Sequence, residues 1–318
     1  MKECQHKGFT NMDRREFCKK SLAAGAAVCG ASLFGWTDRL VAQEASTAIP
    51  DLVTIENDEP DVMFDKAIAA LGGMEKFVQK GQTVVVKPNI GWERGPETAA
   101  NTNPLLIKRI VEHCVNVGAK KVYVFDNSVY SASGPKCYKI SGIEDAAKTA
   151  GATVAPAHEM KYFQEVTIPG AETLEKTQVH ELLLETDVLI NVPVLKNHFA
   201  SHLTIAMKNL MGVVWNRNQY HSKGLHECIA DFCLYKKPDL NVVDAYLVTM
   251  ANGPQGARQE DLALKKTLLL SQDIVAVDAA ATKFFGIEPE QVAHIKLGHE
   301  QGTGNMNVEE LNIKKIVL

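Results

Sequence analysis

Lysine and histidine side chains are concentrated in one stretch, residues 194–212, which reads VLKNHFASHLTIAMKNLMG. It holds two lysines, Lys196 and Lys208, each followed by an asparagine, and two histidines, His198 and His202. Lysine neutralises carboxylate and phosphate groups, whereas histidine transfers protons near neutral pH or binds metals. The stretch therefore predicts a site for an anionic ligand, a proton transfer or a metal ion.

The apolar residues of the same stretch have the periodicity of an amphipathic helix. At 100° per residue, the apolar side chains between positions 199 and 210 cluster on one side. His198, His202 and Asn209 then lie within about 40° of one another at the edge of that side. We therefore predict a helix here, whose H-x-x-x-H spacing is compatible with a metal ion or with two contacts to one ligand.

Lys208 points away from that edge on the same helical projection. A lysine near a helix C-terminus interacts favourably with the helix dipole, and Gly212 is suited to end a helix. The periodicity alone thus favours a structural role for Lys208.

The elements that must position these residues alternate between apolar runs of strand length and helical segments. Continuously apolar strands separated by helices are typical of a parallel sheet covered on both faces. We expect an α/β fold of three layers, a mostly parallel sheet with helices on both faces. The predicted strands fall at residues 52–55, 82–89, 120–128, 186–193, 240–247 and 267–273.

Polar side chains follow most of the predicted strands. Open parallel sheets bind ligands at the carboxyl ends of their strands, because loops and helix N-termini converge there. The alternative is that Asp and Asn at these positions cap the next helix or form turns. The candidate residues are Lys87, Asn89, Asp126, Asn191, Lys196, His198 and, one turn into the helix after its strand, Asp278.

We interpret these residues as the site of an enzyme acting on a small anionic metabolite. Lys87 and Lys196 would hold a carboxylate or phosphate group. His198 would be the general acid or base, because its ordinary pKa lies nearest neutrality. Asp126 and Asp278 would orient the lysines or bind a divalent metal.

Two other functions remain open. The first is a non-catalytic ligand-binding, metal-binding or redox-accessory protein. The second is a metalloprotein in which His198 and His202 bind a metal together with an aspartate or His221. A stoichiometric metal lost on changing His202 would favour the metalloprotein.

Residues 1–43 have the features of an export signal. The pair Arg14-Arg15 precedes Phe17 and further lysines, and a run of small and apolar residues extends from Ser21 to Trp36. This order predicts transport by the twin-arginine translocase to a periplasmic or other extracytoplasmic location. Residues 44–50 would form a linker, and residues 51–318 the folded domain.

Composition and cysteine spacing argue against several classes of protein. The net charge is −4, with no basic run, so a nucleic-acid partner is not expected. The cysteines after the signal form no C-x-x-C pair, which argues against an iron–sulfur cluster or a structural zinc ion. The glycine-rich nucleotide loops and the G-x-S-x-G motif of serine hydrolases are also absent.

Three motifs resemble the family named domain of unknown function 362. They are K-P-N from Lys87 to Asn89, I-N-x-P-x-x-K-x-H from Ile190 to His198, and K-N-x-x-G from Lys208 to Gly212. The resemblance implies that Lys196, His198, Lys208 and Asn209 act together, and it implies no particular substrate. Some members carry an added ferredoxin-like segment, but this chain has no such cysteine array, so cluster binding is not expected.

Overall fold

An extended β-sheet forms the centre of the computed structural model, which describes residues 49–130, 133–255 and 258–318. Ten of the strands in these ranges belong to that sheet, and two more form a separate antiparallel pair. The strands are β1 (Leu52–Glu56), β2 (Thr83–Pro88), β3 (Lys121–Val124), β4 (Thr153–Val154), β5 (Phe163–Thr167), β6 (Lys176–His180), β7 (Val188–Val192), β8 (Val194–His198), β9 (His202–Thr204), β10 (Leu240–Thr249), β11 (Leu262–Ser271) and β12 (Ile313–Val317).

The main path of the large sheet has the order β12-β1-β11-β10-β7-β2-β3-β4. Neighbours along it are parallel, except that β11 runs antiparallel to both β1 and β10. Off this path, β8 lies parallel to the second half of β10, and β9 pairs antiparallel with β8. The prediction of a mostly parallel sheet is confirmed.

Helices cover both faces of this sheet. Along β2, Val84 belongs to one apolar core together with Phe64, whereas Val85 belongs to the other together with Phe232. Because both faces of the central strands are buried, every residue of β7 is buried. The three-layer prediction is confirmed. The helices are α1 (Pro60–Ala70), α2 (Pro104–Asn116), α3 (Gly134–Ile140), α4 (Ile143–Thr149), α5 (Glu181–Glu185), α6 (Ala206–Asn209), α7 (Asn218–Lys223), α8 (Leu225–Tyr235), α9 (Ile274–Thr282) and α10 (Ala293–Glu300).

The predicted helix across positions 199–210 is wrong. The segment forms the β8–β9 hairpin, and only α6, a single turn, is α-helical before a 3-10 turn at Leu210–Val213. Pairing of β8 with β10 decides the outcome, since Val194 and Lys196 lie opposite residues of that long strand. Phe199, placed by the periodicity on the apolar side of a helix, is instead 84% exposed at the hairpin tip. Tertiary pairing thus overrides the apolar period.

The predicted signal, residues 1–43, and most of the linker, residues 44–50, lie outside the described residues. Within the described part of the chain, no helix is both long enough and apolar enough to cross a membrane. Cys114, Cys137, Cys228 and Cys233 are buried free thiols.

Candidate functional site

A cleft of about 720 Å³ opens where the loops after β2 and β3 meet the β8–β9 hairpin and the segment that follows α6. Among the described residues that line it, Asp126 is the only carboxylate, and the remaining titratable groups are basic apart from one tyrosine. The basic side chains in the lining are Lys196, His198, Lys208, Arg217 and His221.

Lys87 lies at the end of β2, fully buried beside the cleft, and forms an ion pair with Asp126. Its Nζ is 2.8 Å from Asp126 Oδ1 and also donates to Asn209 Oδ1. The other carboxylate oxygen of Asp126 accepts the N–H of Ile90 at 2.6 Å. Burial lowers the pKa of Lys87 to about 8, although Asp126 opposes this shift. Asp126 therefore neutralises Lys87, and the pair forms the support of the cleft.

Gly212 is packed against this ion pair. A Cβ at this position would overlap Asp126 Oδ1 and would lie 2.5 Å from Lys87 Nζ. The carbonyl of Gly212 also accepts the N–H of Asn127 at 2.8 Å, which ties the two segments together. Only glycine permits this close approach of the backbone, so the last residue of the K-N-x-x-G motif has a packing role beyond ending a helix.

Four asparagine side chains form a hydrogen-bonded row that leads from the cleft into the sheet. Asn89 Nδ2 donates to Asn209 Oδ1 at 3.0 Å, and Asn209 Nδ2 donates to Asn191 Oδ1 at 2.9 Å. Asn191 Nδ2 then donates to Asn241 Oδ1 at 3.0 Å. The predicted ligand-binding residues Asn191 and Asn209 are thus buried structural links, and Asn89 is the member that lines the cleft.

Lys196 begins this row. Its Nζ donates to Asn89 Oδ1 at 3.0 Å and to the carbonyl of Ala100 at 2.5 Å. The side chain is 2% exposed, and burial together with nearby Lys208 lowers its pKa to about 7. Two neutral acceptors fix the position of the amine, and its charge is offset in part by the attraction of Asp126 from beyond ion-pair distance.

Lys208 and Arg217 are the other cations of the cleft. Lys208 Nζ has a thioether, Met211 Sδ at 3.4 Å, as its hydrogen-bond partner, and Arg217 Nε donates to the carbonyl of Met211. Burial, followed by repulsion from Arg217, lowers the pKa of Lys208 to about 7. Within the described residues, neither of these two cations nor Lys196 has a carboxylate partner.

His198 is buried at the end of β8, and its ring is uncharged. Burial, with Lys208 and Lys196 close by, lowers its pKa to about 3. Its Nδ1 accepts the N–H of Ala200 at 3.1 Å. The proton of the neutral ring must therefore sit on Nε2, and that nitrogen is a hydrogen-bond donor.

The structure does not bring the two predicted metal-binding residues together in the cleft. His202 lies opposite His198 in the hairpin but is exposed, and its ring centroid is 6.3 Å from that of His226. His221, the third histidine considered, does line the cleft. Among the described residues, no group of three or more His, Cys, Asp and Glu is arranged to hold a metal ion.

Asp278 stabilises the start of α6, the helix that carries Lys208, without lining the cleft. Its two carboxylate oxygens accept the N–H groups of Ala206 and Met207 at 2.7 and 3.0 Å, so it caps the start of α6. Asp278 lies on α9, which follows β11, the strand antiparallel to both of its neighbours. Its side chain does not line the cleft. Burial raises the pKa of Asp278 to about 8, despite these two hydrogen bonds.

Sequence reasoning missed Arg217 and Asn241. Arg217 follows the 3-10 turn after α6, where no strand end marks it as a candidate. Asn241 is a fully buried polar residue near the start of the apolar strand β10, and that contrast is the signal that identifies it.

The fold and the cleft define the class of this protein: an α/β protein with a mostly parallel sheet and a strongly cationic cleft at the strand ends. The model of the family described as domain of unknown function (DUF362) matches residues 84–283, which is more than half of the chain. The chain belongs to this family, as its motifs predicted.

Two known proteins are similar to the chain. The thylakoid-associated protein sll1697 of Synechocystis sp. is 24% identical over 230 residues, which cover 70% of this chain and 68% of that protein. The solved structure of the lactate racemase apoprotein from Thermoanaerobacterium thermosaccharolyticum is 12% identical with a TM-score of 0.42. That comparison covers 78% of this chain and 56% of the other, so the chain spans just over half of the racemase structure.

Proposed function

We propose that the protein is an enzyme that binds a carboxylate- or phosphate-bearing metabolite through Lys196, Lys208 and Arg217. The observation that carries the proposal is the absence, among the described residues, of a carboxylate partner for any of these three cations in one cleft. Burying a cation without an ion-pair partner is costly, and Asp126, which attracts Lys196 and Arg217 from a greater distance, is already paired with Lys87. An anionic ligand would supply that charge and gain charge-assisted hydrogen bonds in return.

The chemistry that such a site could perform is proton transfer on the bound anion. An amine with a pKa of about 7 without ligand, as in Lys208, is protonated when the anion binds and is then suited to be a general acid. His198 would then donate a hydrogen bond from Nε2 to oxygen atoms on which negative charge develops. This role fits its geometry better than the acid–base role expected from the sequence, because its Nδ1 is occupied.

The direct test measures anion binding and turnover separately. Binding is measured by titration calorimetry with a panel of carboxylates and phosphates, comparing the wild-type protein with Lys196→Met/Lys208→Met. Turnover is followed by mass spectrometry of a metabolite mixture incubated with the protein. Binding without turnover would favour the non-catalytic alternative, and no binding of any anion would refute the proposal.

Replacing His198 by alanine is expected to lower turnover by about 100-fold or more while leaving the dissociation constant within about threefold. The ring carries no charge at neutral pH, so its removal takes away a directed donor rather than an attraction to the anion. His113→Ala, on α2 away from the cleft, is the matched control. Equal turnover in the wild type and His198→Ala would exclude the proposed role of His198 as a hydrogen-bond donor in the reaction.

Anion binding is expected to weaken as the pH rises from about 7 to 9. Lys196 and Lys208 each have a pKa of about 7 without ligand, so each must regain a proton on binding above that pH. The affinity should fall up to tenfold per pH unit for each lysine involved, and it should level off below about pH 6. The probe must be a sulfonate, whose own charge is constant in this range. An affinity that does not change between pH 6 and 9 would contradict the assignment of Lys196 and Lys208 as anion-binding groups.

We also propose export by the twin-arginine translocase, on the basis of Arg14-Arg15 and the apolar run that follows. The cyanobacterial relative carries a thylakoid-associated name, which is consistent with a location outside the cytoplasm. In fractionated cells, the wild-type chain should appear shortened outside the cytoplasm, and Arg14→Lys/Arg15→Lys should remain inside at full length. An identical distribution of both chains would rule out this route.

A further inference from the structure

The mouth of the cleft is lined by aromatic side chains from three separate loops. Trp92 follows β2, Tyr130 follows β3, and Phe199 forms the tip of the β8–β9 hairpin. Trp92 and Tyr130 meet edge to face with ring centroids 6.0 Å apart, and Phe199 stacks on His198 at 5.1 Å. Three strand-end loops therefore each contribute a ring to one opening.

Two of these rings are unusually open to solvent. Tyr130 is 64% exposed and Phe199 is 84% exposed. Every other Phe, Tyr and Trp within residues 49–130, 133–255 and 258–318 is buried or partly buried. Large apolar side chains gain free energy when covered, and the two exposed aromatic rings of the described chain line the same cleft.

The size of the cleft is the second observation. Clefts of about 300–1,000 Å³ enclose organic ligands of drug size, and this one has about 720 Å³. A carboxylate or phosphate group bound to Lys196 and Lys208 would fill only a small part of it. The remaining space is bordered by the rings, so the ligand needs a body as well as a charged head.

The two ends of the cleft differ in character. Lys196 and Lys208 are 2% and 9% exposed, so the cations lie deep, whereas Tyr130 and Phe199 lie at the surface. Planar groups pack favourably on aromatic rings, and such a contact excludes water from the charged interior. A ligand that suits both ends is anionic at one end and flat at the other.

We propose that the ligand is an organic anion in which a phosphate or carboxylate group is joined to a planar ring system packed against Trp92, Tyr130 and Phe199. This inference rests on the proposed function, because the same cations hold the anionic head. It adds a subsite that selects ring-bearing anions over small ones.

Matched ligand pairs test this subsite on the full chain by titration calorimetry. The pairs are methyl phosphate with 1-naphthyl phosphate, and acetate with 1-naphthoate, which share a head and differ in the ring. We expect the naphthyl member of at least one pair to bind about 10- to 100-fold more tightly, the range that aromatic stacking provides. Equal affinity within each pair would overturn the subsite while leaving the proposed function intact.

Alanine variants test which aromatic side chains are responsible for the tighter binding of the naphthyl ligands. Phe199→Ala and Tyr130→Ala should each remove a large part of the naphthyl advantage without changing methyl phosphate binding, and both should fold because the side chains are exposed. Met160→Ala, a 53% exposed apolar residue away from the cleft, is the control and should change neither value.

Two further outcomes distinguish failure of the aromatic subsite from failure of the proposed anion-binding function. Naphthyl binding that survives Lys196→Met/Lys208→Met would show a purely apolar contact and would overturn both proposals. Equal binding within each pair, combined with Phe199-dependent sedimentation on vesicles of anionic phospholipid, would identify the rings as a membrane contact and would overturn the subsite.

Discussion

Lys208→Met is expected to weaken anion binding by about 100-fold and, at the same time, to stabilise the folded protein. Removing one partner of a buried charge contact costs about 2–5 kcal/mol of binding free energy. The empty protein, by contrast, holds Lys208 buried with a thioether as its hydrogen-bond partner. A methionine of similar volume removes that cost, and replacing buried charged groups by apolar ones of similar volume stabilises some proteins by about 1–4 kcal/mol.

The stabilisation should depend on pH with a defined sign. The pKa of Lys208 is about 7 in the folded protein and near 10.4 in an unfolded chain. The folded state is therefore penalised fully below pH 7, and the penalty fades as the pH rises toward 10.4. Lys208→Met should accordingly gain more stability at pH 6 than at pH 9, measured as the free energy of unfolding in urea.

Lys161→Met is the matched control, because Lys161 is 60% exposed and pairs with Glu159 at the surface. It should leave both affinity and stability nearly unchanged. If Lys208→Met lost stability together with binding, Lys208 would be a structural residue and the proposed function would lose a principal cation.

Gly212→Ala is expected to destabilise the fold by about 3–5 kcal/mol, the cost of disrupting a buried ion pair. The added methyl group would occupy the space of Asp126 Oδ1 and would crowd Lys87 Nζ. Both charges are buried, so separating them leaves each without its ion-pair partner. The measurement is the midpoint and slope of urea unfolding.

Gly91→Ala is the corresponding control. A Cβ at Gly91 would meet Asn89 Oδ1 at 3.4 Å and Val129 at 3.6 Å, which are ordinary contacts, so stability should change little. Unchanged stability in Gly212→Ala would mean that the Lys87–Asp126 pair shifts freely, and the packing role of this glycine would be refuted.

Much of the fold was accessible from sequence because its strands are continuous apolar runs buried on both faces. β2, β7 and β10 all fall within or near the predicted runs. The segment after β8 was not accessible, because its apolar spacing fits a helix while its actual partner, β10, lies about 50 residues further along the chain. A local pattern carries no information about such a distant pairing.

The candidate site was accessible to the extent that it follows the ends of parallel strands. Lys87, Asp126 and Lys196 were predicted on that basis, and the structure brings them together around one cleft. The helical projection that pointed Lys208 away from the other candidate residues does not apply, since α6 is a single turn. Asp278 follows the one antiparallel strand of the main path, so the strand-end rule did not apply to it.

The row of asparagines has a direction that constrains how its sequence can change. Each amide accepts on its oxygen and donates from its nitrogen, from Asn89 beside Lys196 to Asn241, whose Nδ2 reaches the carbonyl of Ser271. An aspartate would lack the donor, and a leucine would lack both groups, so either leaves a buried neighbour unpaired. A change at one of these positions is therefore expected to require a matching change at its neighbours in the row.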